Sequence, residues 1–227
     1  IGDRVVIKRS GDVIPYVIGP IVEARDGDET PIEPPAFCPH CNTAIIQPED
    51  AVDYFCPNPD CPERVFRQVE FFVSRGAMDI EGMGPQTVKL LIERGFIHDE
   101  ADIFTLTPEP LLEIEGFKQK RVDNLLASIN AAKSRPLPQV LASLGIDGVG
   151  GTVAELLSAH FGTLDALSFA PPGVIDEIEG IGPILAENIA TWFADERHQQ
   201  LIEKLKTAGV TFAATTPTVE SRTMTVR

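Results

Sequence analysis

Four copies of one short pattern dominate the chain: an aliphatic residue, an acid, glycine, an apolar residue and usually a second glycine. The copies are Ile80-Glu81-Gly82-Met83-Gly84, Ile114-Glu115-Gly116-Phe117-Lys118, Ile146-Asp147-Gly148-Val149-Gly150 and Ile178-Glu179-Gly180-Ile181-Gly182, with first glycines 34, 32 and 32 residues apart. Six residues past each first glycine stands a small or β-branched residue (Val88, Val122, Ala154, Ala186). Three further on comes Leu91, Leu125, Leu157 or Ile189. That spacing marks the buried face of a helix starting just after the second glycine position. Short apolar stretches precede the cores, clearest in Leu111-Leu112 and Val174-Ile175. Each unit therefore reads as helix, glycine hairpin, helix, and such units must stack to bury their faces. The expected class is mainly α.

Glycines let a hairpin adopt positive φ and let another molecule's backbone come close. The helix that follows offers unpaired N–H groups with partial positive charge, a setting suited to phosphate. At this point the residues resemble the helix-hairpin-helix motif of DNA repair and replication proteins. The bland alternative is a glycine turn in a helical bundle that binds nothing. Dinucleotide binding fits poorly, since no strand precedes the glycines and the third glycine is missing.

Net charge argues against an anionic partner, because 19 Lys and Arg face 34 Asp and Glu, giving −15. The distribution matters more than the sum. No Lys or Arg lies between Arg135 and Arg197, whereas Lys118, Lys120, Arg121, Lys133 and Arg135 cluster around the second hairpin. A basic patch is expected there, with an ordinary solvated helix face as the alternative. Hairpins three and four would have to hold phosphate through backbone N–H groups, which positions without reading bases. Copy two also departs from the pattern: with Lys118 in place of glycine, either its hairpin is distorted or a charged contact replaces a backbone one.

All four cysteines fall within 24 residues, as Cys38-x2-Cys41-x14-Cys56-x4-Cys61. Each close pair can form a knuckle aiming two sulfurs at one centre, and two knuckles complete the tetrahedron of a structural zinc site. Ala44-Ile45-Ile46 and Asp53-Tyr54-Phe55 are expected as short strands of this ribbon, which is too small to fold without metal. Four thiolates leave no open position for water, so the zinc is structural and His40 is a solvated knuckle residue. The competing readings are two disulfides or a redox Cys-x-x-Cys, and a reducing compartment disfavours the first.

Residues 1–22 read as two β-branched strands around Ser10-Gly11-Asp12, the tail of a small barrel, and 23–36 as a polar turn and proline-stiffened linker. The start at Ile1, without Met, leads us to expect a piece of a longer protein. No apolar run approaches the roughly 18 residues of a membrane span, and no secretory pattern opens the chain. A cytoplasmic, membrane-free protein is expected.

Order along the chain sharpens the resemblance. Gly11-Asp12-Val13-Ile14-Pro15, then Cys38-Pro39-x-Cys41 and Cys56-Pro57-Asn58-Pro59-x-Cys61-Pro62, then Ser74-Arg75-Gly76-Ala77-Met78-Asp79-Ile80-Glu81-Gly82, closely resemble the bacterial NAD-dependent DNA ligases. The resemblance implies the C-terminal strands of an OB-fold plus linker over 1–34, a four-cysteine zinc finger over 35–66, a four-repeat helix-hairpin-helix domain over 67–213, and the linker or start of a BRCT domain over 214–227. Such an enzyme seals nicks in duplex DNA during replication and repair, using NAD, Mg and a lysine in a Lys-x-Asp-Gly motif. No lysine here has that context, so this chain should carry no catalytic residue and no NAD site of its own. The implied zinc ligands are Cys38, Cys41, Cys56 and Cys61. The implied sequence-independent contacts to nicked double-stranded DNA come from Gly82, Gly84, Gly116, Lys118, Lys120, Arg121, Gly148, Gly150, Gly180 and Gly182, and the chain is expected to be a monomer. The alternative is a zinc-ribbon and hairpin DNA-binding module of another repair or topology enzyme.

Overall fold

A computed structural model describes residues 1–11, 14–49 and 51–212. Asp12 and Val13 of the first turn, and the segment 214–227 expected to lead into a further domain, lie outside the described residues. The chain divides into two compact units, Ile1–Cys61 and Pro62–Arg227.

In the first unit, β1 (Val5–Ser10) pairs antiparallel with β2 (Ile14–Pro20), with a register shift between Val6 and Ile7. The β-branched residues that favour these strands stay largely exposed, among them Ile7, Ile14, Val17 and Ile18. After β2, the Arg25 guanidinium forks onto the Asp3 carboxylate at 2.6 and 3.0 Å, tying the start of the linker back to the first residues.

The second unit is helical. Helix α1 (Pro62–Val73) runs through the expected 66/67 boundary, because Pro62 sets the helical φ of its first turn and Val69, Phe72 and Val73 anchor it in the helical core. The hairpin helices follow: α2 (Pro85–Glu93), α4 (Gln119–Ala132), α6 (Gly151–Phe161) and α9 (Pro183–Ala194). Their leading partners are α1, α3 (Pro108–Leu112), α5 (Leu137–Ser143) and α8 (Pro172–Ile175). A 3-10 turn at Glu100–Thr105 and α7 (Leu164–Ser168) connect units, and α10 (Glu196–Thr207) closes the fold. Lys204 of α10 bonds both Asp99 and Asp102, linking that helix to the 3-10 turn.

The four hairpins obey one rule. The leading isoleucine and the apolar residue between the glycine positions point into the core: Ile80, Ile114, Ile146 and Ile178, with Met83, Phe117, Val149 and Ile181, are all buried. The backbone turns through positive φ at Gly82 (88°), Gly116 (83°), Gly148 (80°) and Gly180 (95°). An i to i+3 bond closes each turn, as where Phe117 N donates to Ile114 O at 3.0 Å or Val149 N to Ile146 O at 2.9 Å. Val88, Val122, Ala154 and Ala186 then bury completely, and Leu91, Leu125, Leu157 and Ile189 bury beside them. A buried side chain of the Val, Leu or Ile type contributes about 1.5–3 kcal/mol.

Hairpins also pack in pairs, which the periodicity does not reveal. A Cβ at Gly82 would stand 3.3 Å from Leu125 Cδ1 of α4. One at Gly148 would stand 2.8 Å from Leu185 Cδ1 of α9, and one at Gly180 3.3 Å from Leu156 Cδ1 of α6. Repeat one thus rests on repeat two, and repeats three and four rest on each other. Phe72 sits in the core and Phe161 and Trp192 pack against it, while Phe71 is 48% exposed. It lies outside the buried stripe that Val69, Phe72 and Val73 form on α1 at i, i+3 and i+4.

The first glycines are required by φ at all four hairpins and by space as well at Gly82, Gly148 and Gly180; the second are required by neither, since at Gly150 and Gly182 a Cβ would meet nothing within 4 Å. Gly148→Ala should therefore destabilise the chain by about 1–3 kcal/mol in urea unfolding. Gly150→Ser, which places a competent N-cap in an extended position, should leave stability unchanged or slightly raised. Equal losses in the two variants would contradict this assignment.

Candidate metal centre and nucleic-acid interface

The cysteine ribbon is built from two knuckles within the first unit. In the first, Asn42 N donates to Cys38 O at 2.9 Å and Cys38 N to Thr43 O at 2.8 Å, with Asn42 in the left-handed region at φ 57°. In the second, Cys61 N donates to Asn58 O at 3.2 Å, and Asn58 Oδ1 accepts from Asp60 N at 3.0 Å. The expected short strands shrink to single antiparallel bridges, Phe37 with Ala44 and Ile46 with Phe55. With so few backbone bonds, the metal has to supply the rest.

All four Sγ atoms lie within 4.8 Å of one another; Cys38 and Cys61 are 3.8 Å apart and Cys41 and Cys56 3.4 Å. Zn–S bonds of about 2.3 Å in a tetrahedron separate sulfurs by about 3.8 Å, so this set fits zinc. These separations far exceed a disulfide bond of about 2.05 Å, and the four cysteines are free thiols. Hydrogen bonding from Thr43 draws the Cys41 thiol down to about 6, and burial pushes that of Cys56 up to about 12. The half-buried Cys56 thus holds its proton more tightly than Cys41. Once bound, zinc offers no open coordination position, and its contribution here is to hold the two knuckles together. His40 is exposed on the first knuckle.

The hairpins of repeats one and two border a groove of about 970 Å³ in the second unit, lined by Gly82, Gly116, Lys118, Lys120, Arg121 and Arg135, with Asp79 and Glu81 on its acidic side. Five of the ten residues expected to contact DNA meet here. Lys118 is undistorted: as N-cap of α4 it has φ −87° and ψ 162°, close to −66° and 167° for Gly84, −95° and −174° for Gly150, and −95° and 171° for Gly182. This position is extended backbone that any residue adopts, which resolves the choice posed by copy two in favour of a charged side chain on an ordinary hairpin. None of the four N-caps has a side-chain capping bond, so the first N–H groups of α2, α4, α6 and α9 face outward without such a partner. Lys118 and Lys120 are exposed and have no ion-pair partner among the described residues.

Arg121 is committed differently. Its guanidinium lies 3.8 Å from the Phe117 ring centroid and donates to Gly116 O at 3.4 Å and Thr87 Oγ1 at 3.3 Å. Arg67, a residue that could have touched DNA from α1, is engaged by Glu63 and Glu70 at 2.9 and 3.0 Å. Gly148, Gly150, Gly180 and Gly182 belong to the second hairpin pair, which has no lysine or arginine in either of its hairpins. Sequence reasoning missed Ser128 and Thr87, and counted Arg135 only as charge. Their partners are 34 to 57 residues distant, and no local periodicity signals them.

Fold and site together define a protein with a four-cysteine zinc finger and two tandem helix-hairpin-helix pairs. Family models agree segment by segment: the NAD-dependent DNA ligase C4 zinc finger domain matches residues 37–62, a SAM-like helix-hairpin-helix tandem 75–131, and a helix-hairpin-helix motif 139–202. Similar curated proteins include a DNA ligase of Roseiflexus sp. (strain RS-1), 51% identical over 211 residues, covering 92% of this chain and 29% of that protein. Another is a DNA ligase of Chloroflexus aurantiacus (strain ATCC 29366 / DSM 635 / J-10-fl), 46% identical over 226 residues, covering 99% and 32%. A third, from Frankia casuarinae, is 41% identical over 214 residues, covering 94% and 30%. These family models and relatives, the latter covering 92–99% of this chain, support its reading as the C-terminal portion of an NAD-dependent DNA ligase. It spans under a third of the length of these relatives. No helix among the described residues is long and apolar enough to cross a membrane.

Native protein should carry one zinc per chain by elemental analysis, and Cys38→Ser with Cys61→Ser should lose it. Chelation should unfold the ribbon while far-UV helical signal is retained, because the helical core draws on no cysteine. Absence of zinc, or collapse of the helices with it, would contradict this assignment.

Proposed function

We propose that this chain is the DNA-gripping portion of an NAD-dependent DNA ligase, and that its ligand is nicked duplex DNA held by the phosphodiester backbone without base readout. The observation that carries this reading is the groove between the first two hairpins, where Lys118 and Lys120, without ion-pair partners among the described residues, flank helix N-termini that no side chain caps. Charge supplies attraction there, and backbone N–H groups supply direction. Gly84, Gly150 and Gly182 allow close backbone approach, Gly82, Gly116, Gly148 and Gly180 shape the hairpins, and Arg121 completes the set.

The zinc bound by Cys38, Cys41, Cys56 and Cys61 is structural. Nick sealing belongs to the parent enzyme, whose adenylation site, NAD and Mg are supplied by other parts of it, so this chain alone carries no ligase activity. The exposed apolar faces of β1 and β2 support the reading of residues 1–34 as OB-fold strands and linker, with the zinc finger, the hairpin domain and a segment leading toward a BRCT domain following in order. Cytoplasmic location, a monomeric state and service in replication and repair complete the proposal.

Fluorescence anisotropy with a nicked duplex tests it. Affinity should fall steeply with salt as counterions are released, and Lys118→Gln with Lys120→Gln should flatten log K against log[salt] by roughly 0.9 for each phosphate no longer neutralised. Gly150→Ser with Gly182→Ser should weaken binding several-fold through the uncharged pair, with the salt slope preserved. Failure to bind at low salt would refute the proposal.

A further inference from the structure

Arg135 and Ser128 line the basic groove, yet their polar atoms turn inward. The Arg135 guanidinium donates through Nε to Met78 O at 3.1 Å, and through Nη2 to Asp79 O and Asp79 Oδ2, both at 3.2 Å. Asp79 is one of two described non-glycine residues with positive φ, at 50°, and it stands immediately before Ile80 of the first hairpin. One guanidinium thus holds both carbonyls of a left-handed backbone step. Two residues on, Glu81 N donates to Ser128 Oγ of α4 at 2.8 Å. The hairpin of repeat one is therefore fixed from repeat two at three backbone points, across 47 to 57 residues of sequence.

We infer that Arg135 and Ser128 are positioning residues, which set the first hairpin against the second at the spacing of the backbone phosphates that the groove receives, and that Arg135 is not itself a phosphate ligand. The contrast with the second hairpin pair supports this assignment. There, Leu185 and Leu156 reach the opposing hairpin glycines reciprocally. In the first pair only Leu125 does so, and the polar links are Arg121 to Thr87, Ser128 to Glu81 and Arg135 to Asp79. A polar clamp replaces half of an apolar one. Unlike a nonpolar contact, it is directional, and Lys cannot reproduce Arg135's planar fork.

The inference rests on the DNA-binding reading for its second readout but not its first. In the zinc-loaded, DNA-free chain, hydrogen exchange at the Glu81 amide should quicken about tenfold in Ser128→Ala, and exchange across residues 79–82 should quicken in Arg135→Gln, with far-UV helical signal retained. Unchanged exchange overturns the clamp whether or not the chain binds DNA. With nicked duplex, Arg135→Gln and the charge-keeping Arg135→Lys should both weaken affinity about tenfold with an unaltered salt slope. Full affinity in Arg135→Lys, together with a flatter slope in Arg135→Gln, would make Arg135 a phosphate ligand and overturn the inference. No binding by the unsubstituted chain at low salt would refute the functional reading and leave the exchange result to decide the clamp.

Discussion

The left-handed turn at Gly82, Gly116, Gly148 and Gly180 is the constraint on which the helical unit depends. Turning there keeps the flanking isoleucine and apolar residue on the core side while directing the next helix outward, N-terminus first. An L side chain at that φ costs about 1–2 kcal/mol even where space allows it, and opposing leucines reduce that space at three of the four positions. One backbone choice therefore buries the core, seats one repeat on its neighbour and presents helix N-termini that carry no side-chain cap.

That arrangement explains how an acidic chain can address a polyanion. Repulsion from a net charge of −15 acts at long range and is screened within about 8 Å at physiological salt. On the proposed reading, binding is governed by the local groove, where Lys118 and Lys120 are unopposed by ion pairs among the described residues. The two hairpin pairs divide the work: the first combines charge with directed N–H groups, and the second, without lysine or arginine in its hairpins, offers N–H groups alone. The zinc ribbon answers a different need. Its two isolated bridges and two knuckles bury too little to fold unaided, and four thiolates around one cation supply what its short chain lacks.

Much of this was legible from residue spacing. The 3.6-residue periodicity after each second glycine position located the buried faces of four helices, and the cysteine spacing identified sulfurs that the fold brings within 4.8 Å of one another. Both signals are local, so a one-dimensional pattern can carry them. The helix α1 boundary at Pro62, the outward turn of Phe71 and the roles of Arg135, Ser128 and Thr87 were not legible in the same way. Their partners are set by packing between repeats, and a basic residue in a basic cluster looks the same in sequence whether it faces phosphate or a neighbouring carbonyl. Lys118 shows the converse case: its departure from glycine left a distorted hairpin and a charged contact equally open in sequence, but the position is extended in all four repeats, a backbone that any residue adopts.

Phosphate held by the uncapped helix N-termini of the hairpins is the central claim. Backbone amide chemical shifts, followed in the zinc-loaded chain as nicked duplex is added at low salt, test it most directly. The largest changes are expected at the first amides of α2, α4, α6 and α9, just after Gly84, Lys118, Gly150 and Gly182, with the ribbon cysteines little affected. Changes concentrated away from all four helix starts, or none at all, would contradict it.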